Sequence, residues 1–399
     1  MTSAGKKVKV SGSKEHVGVI VVDYSTDFIK AGWSGEETPR CCIPAVAGEE
    51  NNGTVLVGQD ALDRLKNMHK AGESTEGLQI TYPIKEGRIV EWEAMIVLFR
   101  HIFVNELKVG THPNYPVLVM DSPMSSEEYR IKLCRTLFTE FRMPSLSLGN
   151  RGTMALFDSG ISTGIVLLTS GDICYAVPVY RGFALTHAII NTKLGGKTVT
   201  EVMKAGLKSD VKESTDVSWA PIMEDIREKS CFLIRHGSKE TLLRNHVPTK
   251  SDNESMLYEL PKGDDGEIIQ IHDQLRFVSP EALFAPSHIL GRQCKELGVQ
   301  DLLFKSINMC DGYISKILIE NVVIAGEVTE IPGFAQRVQA ELYDLYKEFS
   351  KHHLVPALRR KDASWRGGSM FATLKTFPKI RFTREKFQED EKIALKRYF

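Results

Sequence analysis

Two stretches of this sequence repeat one design. Val17 to Asp23 is a nearly continuous apolar run, Tyr24 to Asp27 break it, and Phe28 to Gly32 resume it. Far along the chain, Gly164 to Leu168 is another apolar run, broken by Thr169 to Asp172 and resumed by Ile173 to Val177. Each reads as a buried strand, a tight turn and a second strand. Val22 and Leu167 are 145 residues apart (167 − 22), about the length of one domain. The spacing predicts a duplicated α/β architecture: two halves, each opened by a hairpin, with a cleft between them.

Other segments fit the same plan. Asn321 to Gly326 reads as a strand ending in glycine, and Phe334 to Tyr346 as the amphipathic helix that follows. Glu91 to Glu106 predicts a helix with Met95, Leu98, Phe99 and Phe103 on one face. A helix beginning at Ser125, with an acidic first turn, runs to Phe141. Pro221 to Phe232 reads as a further helix, with proline near its first turn. Polar surface loops are expected at Glu49 to Gly53, Gly72 to Gly77 and Val247 to Ser255.

Composition narrows the function classes. The 51 basic and 51 acidic residues cancel, which argues against a nucleic-acid binder relying on bulk charge. The basic run Leu358 to Lys361 reads as a solvated face. Seven scattered cysteines include no CxxC pair, the pattern of free, mostly buried thiols in a reducing compartment. No apolar run approaches the ~18 residues of a membrane span. Met1 to Lys14 is small, polar and basic and reads as a flexible tail; it lacks the apolar stretch of a secretory leader. His352-His353 has no ligand spacing around it and no HExxH occurs, so no metal site is expected.

Six stretches in order, from His16 to Phe399, resemble actin and the actin-related proteins. KAGWSGEETPR at Lys30 to Arg40 resembles the exit of that family's first hairpin. YPIKEGRIVEW at Tyr82 to Trp92, PVYRGFALTHA at Pro178 to Ala188 and FVSPEALFAPS at Phe277 to Ser287 each resemble a family signature. So do SWRGGS at Ser364 to Ser369 and KRYF at Lys396 to Phe399. The resemblance implies an α/β actin fold: two duplicated domains, four subdomains, and a central nucleotide cleft. The implied boundaries are a tail at 1–15, a first domain at 16–158 with a small lobe near 45–82, and a second at 159–357. The second domain's small lobe lies near 197–280, and 358–399 return to the first domain.

Phosphates are cradled by glycine-rich turns because glycine lets the backbone approach closely. Where actins have Asp-Asn-Gly-Ser-Gly, this chain reads Asp23-Tyr24-Ser25-Thr26-Asp27, without either glycine. Asp27 places a carboxylate where the terminal phosphates would lie. Asp23 and Lys30 remain, the first expected near a cation's water shell. The second turn, aligned without gaps, puts Leu168 at the family's cation-site aspartate; a one-residue slip recovers Ser170-Gly171-Asp172 as a shortened turn. Tyr175 matches the family's histidine beside the attacking water. Arg151 replaces the glutamine that positions this water, and is expected to pair with Asp27 or Asp158 rather than with phosphate. On the nucleoside side, Gly195-Gly196-Lys197, the pair Arg227 and Glu228, and Gly326 match the family. The candidate cofactor residues are therefore Asp23, Ser25, Thr26, Lys30, Asp172, Gly196, Arg227, Glu228 and Gly326. The expected cofactor is none, or weakly bound ATP or ADP, with Mg or Ca only alongside nucleotide.

In actins a flexible loop from the small lobe inserts into the next subunit of a filament. Here only Glu49 to Leu56 separate the flanking segments, 8 residues, so that contact is largely missing. Pro280, Leu283, Phe284 and Phe399 are the candidate protein-interaction residues at the opposite end. The resemblance thus implies an architectural subunit of a multiprotein cytoskeletal complex, cytoplasmic, that neither hydrolyses ATP nor polymerises well. Its implied partners are actin, other actin-related proteins and complex subunits; neither a membrane nor direct nucleic-acid contact is expected. The alternatives are an actin-like ATP-binding switch or polymerising ATPase using a rebuilt phosphate site, and a nuclear chromatin-remodelling subunit.

Overall fold

A computed structural model describes residues 18–71, 77–207, 219–234, 255–259, 268–346, 354–355 and 359–396. The tail at 1–17, the loop residues 72–76 and 247–254, and Phe399 lie outside the described residues.

Both hairpins form. Ile20–Tyr24 pairs antiparallel with Phe28–Trp33, setting Val22 opposite Ala31. Gly164–Thr169 pairs antiparallel with Cys174–Tyr180, setting Leu167 opposite Ala176. On its other edge each first strand takes a parallel neighbour, Val117–Asp121 in one case and Val322–Ala325 in the other. A strand flanked on both edges and covered on both faces reads as a near-continuous apolar run. Every residue of Ile20–Tyr24 and of Gly164–Thr169 is indeed buried. The duplication predicted from the apolar runs is therefore a duplication of sheet topology.

The first sheet has the strand order Phe382–Thr383, Ser145–Asn150, Val117–Asp121, Ile20–Tyr24, Phe28–Trp33, Cys41–Pro44. The second runs Phe183–Ala184, Cys174–Tyr180, Gly164–Thr169, Val322–Ala325, with Ile190–Thr192 also paired to Cys174–Tyr180. Two helices, Arg151–Asp158 and Ala363–Phe371, cross between them and pack closely on each other. Their contact depends on Gly367, where a Cβ would lie 1.7 Å from the Met154 carbonyl oxygen. Trp365, fully buried, donates its indole N–H to the Val21 carbonyl at 3.0 Å, which ties this helix pair to the first sheet.

Several sequence expectations shift by a residue or a turn. Glu49 and Glu50 belong to the strand Ala47–Glu50, not to a loop. The connection is a tight turn at 51–54, closed by the Glu50 N–H on the Thr54 carbonyl at 2.9 Å, with Gly53 at φ +82°. The polar outer positions of that strand read as loop, but Val55–Val57 and Leu78–Thr81 pair with it on both edges. The helix Trp92–His101 passes into a π-turn at Ile102–Glu106. Ser126, not Ser125, caps the helix Glu127–Glu140, accepting the Tyr129 N–H at 3.2 Å. Ser125 instead donates to the buried Asp121 carboxylate at 2.7 Å. All seven cysteines are free, and five are buried. No helix among the described residues is long and apolar enough to cross a membrane.

Candidate functional site

The two hairpin turns face each other across the gap between the sheets, and they touch. Thr26 Oγ1 donates to Asp172 Oδ1 at 2.5 Å, and Ser170 Oγ donates to Thr26 Oγ1 at 3.3 Å. Ser25 turns inward, its hydroxyl donating to the Phe28 carbonyl at 3.0 Å. Asp27 lies directly against Gly171: a Cβ on that glycine would be 2.0 Å from Asp27 Oδ1. A side chain at 171 would have to displace that carboxylate, which occupies the space beside the glycine.

The carbonyls of the second turn engage the helix Gly196–Leu207. Lys197 N–H donates to Gly171 O at 2.6 Å and Gly196 N–H to Ser170 O at 3.3 Å. Two of the free amides at the helix's N-terminus are thereby satisfied by the protein itself. Gly326, with φ +105°, fits the third turn against the second; a Cβ there would lie 2.0 Å from the Thr169 carbonyl. Its own N–H donates to Arg360 O at 2.8 Å.

The cations of the cleft floor are equally engaged. Lys30 is buried and forms ion pairs with Glu327 at 2.7 Å and Asp362 at 3.3 Å, and it also donates to the Lys361 carbonyl. Burial alone would pull the Lys30 pKa down, but Glu327, Asp23 and Asp362 more than reverse this and hold it above the usual lysine value. Burial likewise pushes the Glu327 carboxyl up, and Lys30 followed by Arg151 hold it below its usual value. Arg151 Nε lies 2.8 Å from Asp23 Oδ1, both side chains buried. The expected partners of Arg151 were Asp27 or Asp158; the helix start at Arg151 instead aims the guanidinium at the first strand's end. Asp158 sits at the other end of that helix and pairs with Arg366 at 3.2 Å.

Leu168 stands opposite Tyr175 in the hairpin register and packs into the core of the second sheet. Asp172 is directed toward the first half, where it also accepts the Glu86 N–H at 2.7 Å. Arg227 lies over Gly196, with Nη1 2.1 Å from where a Cβ would be, and reaches Glu228 at 3.3 Å. Glu228 is exposed and lines a cavity of about 870 Å³ above Asp27, between Tyr82, Lys197, Glu224 and the helix Gln59–Ala71. No cluster of candidate metal ligands occurs among the described residues.

Pro280, Leu283 and Phe284 are not surface residues. All three are buried, the last two inside the large core cluster of the second half. The motif they belong to holds the core: Arg337 pairs with the neighbouring Glu281 and lies over the Phe284 ring, its Cζ 4.7 Å from the centroid. They therefore do not form the interaction surface assigned to them, and Phe399 lies outside the described residues.

Asp27 supplies a pH test. Burial first, then the charges of Glu327 and Glu224, raise its pKa to about 7, against the partial opposition of Lys197 and Arg227. A carboxyl raised from 3.8 in the unfolded chain binds more protons when folded, so its contribution to stability is full below pH ~4 and lost as pH rises through ~7. Asp27→Asn should flatten the stability profile between pH 4 and 7 and raise stability at pH 8 by about 1–2 kcal/mol, allowing for partial exposure. Urea unfolding at closely spaced pH values measures both.

A duplicated hairpin-and-return topology, two sheets joined by a crossed helix pair, and apposed turns at the intervening cleft define a two-domain α/β cleft protein. The family model described as Actin matches residues 14–399, and the chain belongs to the actin family.

Proposed function

We propose that this chain is an architectural actin-related protein of a multiprotein cytoskeletal assembly, whose two phosphate turns are closed on each other by the chain's own side chains and which does not hydrolyse ATP. One observation carries the reading: the two turns that would cradle phosphates are bonded to each other, Thr26 to Asp172, with the Asp27 carboxylate on Gly171. This arrangement speaks against a triphosphate with its cation between the turns. Its anionic oxygens would meet Asp27 and Glu327, while Lys30 and Arg151 are already paired and Asp23 is neutralised by Arg151. The rebuilt-site alternative needs Asp172 and Arg151 to turn to a ligand, and both are bonded within the chain.

The tight turn at 51–54 supports weak self-assembly, since nothing there extends far enough to insert into a neighbouring copy. Partners are then actin, other actin-related proteins or further subunits of the assembly, in the cytoplasm. The test is nucleotide content and titration calorimetry. Protein purified gently and denatured should release no stoichiometric ATP or ADP, and MgATP at 100 µM should give no saturable heat (concentrations on the order of a weak site's Kd). Stoichiometric nucleotide, or magnesium-dependent hydrolysis by the isolated chain, would overturn the reading.

A further inference from the structure

The cleft has a second seam beside the apposed turns. Ile84–Lys85 and Arg88–Ile89 form a short hairpin whose loop is Glu86 and Gly87. Both loop residues have positive φ, +50° and +70°, the pattern of a two-residue turn matched to strand twist. Glycine adopts it freely. Glutamate is strained there, because its Cβ crowds the backbone, and Asn or Asp would be the usual choice. A strained residue persists where its surroundings over-determine it.

Glu86 is held in that way. Its N–H donates to Asp172 Oδ2 at 2.7 Å, its carbonyl accepts from the Tyr175 hydroxyl at 3.1 Å, and its carboxylate pairs with Lys193 at 2.8 Å. All three partners belong to the half built on Gly164–Thr169, whereas the hairpin extends from the half built on Ile20–Tyr24. Tyr175 in turn accepts from Ser122 at 2.9 Å, just beyond the strand Val117–Asp121. A side chain at Gly87 would come within 3.3 Å of Ser122 Oγ, so this position too is shaped by the same junction.

We propose that the Glu86-Gly87 turn is a clasp that holds the two halves closed without a ligand and sets how readily they part. This rests on the reading of a self-closed cleft. The strain at Glu86 is tolerated because every polar group of the residue is used across the gap. Opening the halves would break three contacts at one residue, so the turn and its partners should exchange their amide protons together.

Hydrogen exchange of the full chain, read by mass spectrometry without nucleotide, tests this. In a Tyr175→Phe, Lys193→Ala double variant, exchange in peptides covering Glu86 to Ile89 and Ser170 to Ile173 should rise about tenfold. Peptides in the core helix Glu127–Glu140 should be unchanged. Lys193→Ala alone removes one exposed side chain and should retain the fold; a rise of about threefold is expected, and it decides the matter if the double variant does not fold. Unchanged exchange at both segments overturns the clasp. A separate arm adds MgATP to the unaltered protein: protection appearing at Thr26 or Ser170 overturns the self-closed reading, while the clasp is still judged by the variants.

Discussion

Replacing Lys30 with methionine should lower the unfolding free energy by about 3–5 kcal/mol, because it strands buried carboxylates without their cation. Lys30 pairs with Glu327 and Asp362, and all three side chains are largely withdrawn from solvent. Exposed ion pairs contribute under ~1 kcal/mol, so burial is what makes this substitution severe. A second change, Glu327→Gln in the Lys30→Met background, should recover part of the loss, since it removes one of the stranded charges. Guanidinium unfolding at pH 7 measures the series, and magnesium with ATP should not restore the Lys30→Met variant. A loss below ~1 kcal/mol would show that water screens the site and that these pairs do not hold the cleft floor.

Gly367→Ala comes next in expected size, at about 3 kcal/mol or more. Its Cβ would lie 1.7 Å from the Met154 carbonyl oxygen and 3.1 Å from the Asp158 amide nitrogen. Both obstacles are backbone, so no side chain can swing away, and one of the two crossing helices must shift. Alanine's better helix propensity returns only ~1 kcal/mol. Gly312→Ala is the control, because a Cβ there meets nothing within 4 Å. Thermal unfolding should show a large fall in Tm for the first and little change for the second. Equal Tm values would mean that the helix pair is looser than its geometry implies.

Much of the cleft was legible as loss. The missing glycines at Asp23 to Asp27, the leucine at 168 and the arginine at 151 stood out only against the pattern of the family that the sequence resembles. What replaced the lost contacts was not. Glu327 stood in the sequence immediately after Gly326, but nothing local marked it as the partner of Lys30, 297 residues away. Asp362 carried no signal at all. Arg151 was expected to find an acid, and the acid proved to be Asp23 instead of Asp27 or Asp158. The interaction assignment failed for a different reason: Pro280, Leu283 and Phe284 are apolar residues in a recognisable motif, and a motif records retention without saying whether packing or contact retains it.

The sequence by itself determined the duplicated hairpins, the strand before Gly326 and four of the helices, because apolar runs, helical periodicity and turn residues act over a few positions, whereas the parallel returns came only from the sheet. Only the tertiary structure decided which charges neutralise one another, that Asp27 lies on Gly171, and that Glu86 is used on all three of its polar groups. Those outcomes depend on distances between groups far apart in the chain, from 86 residues for Glu86 and Asp172 to 297 for Lys30 and Glu327. A Coulomb interaction or a hydrogen bond is set by ångströms in space, which no local pattern encodes.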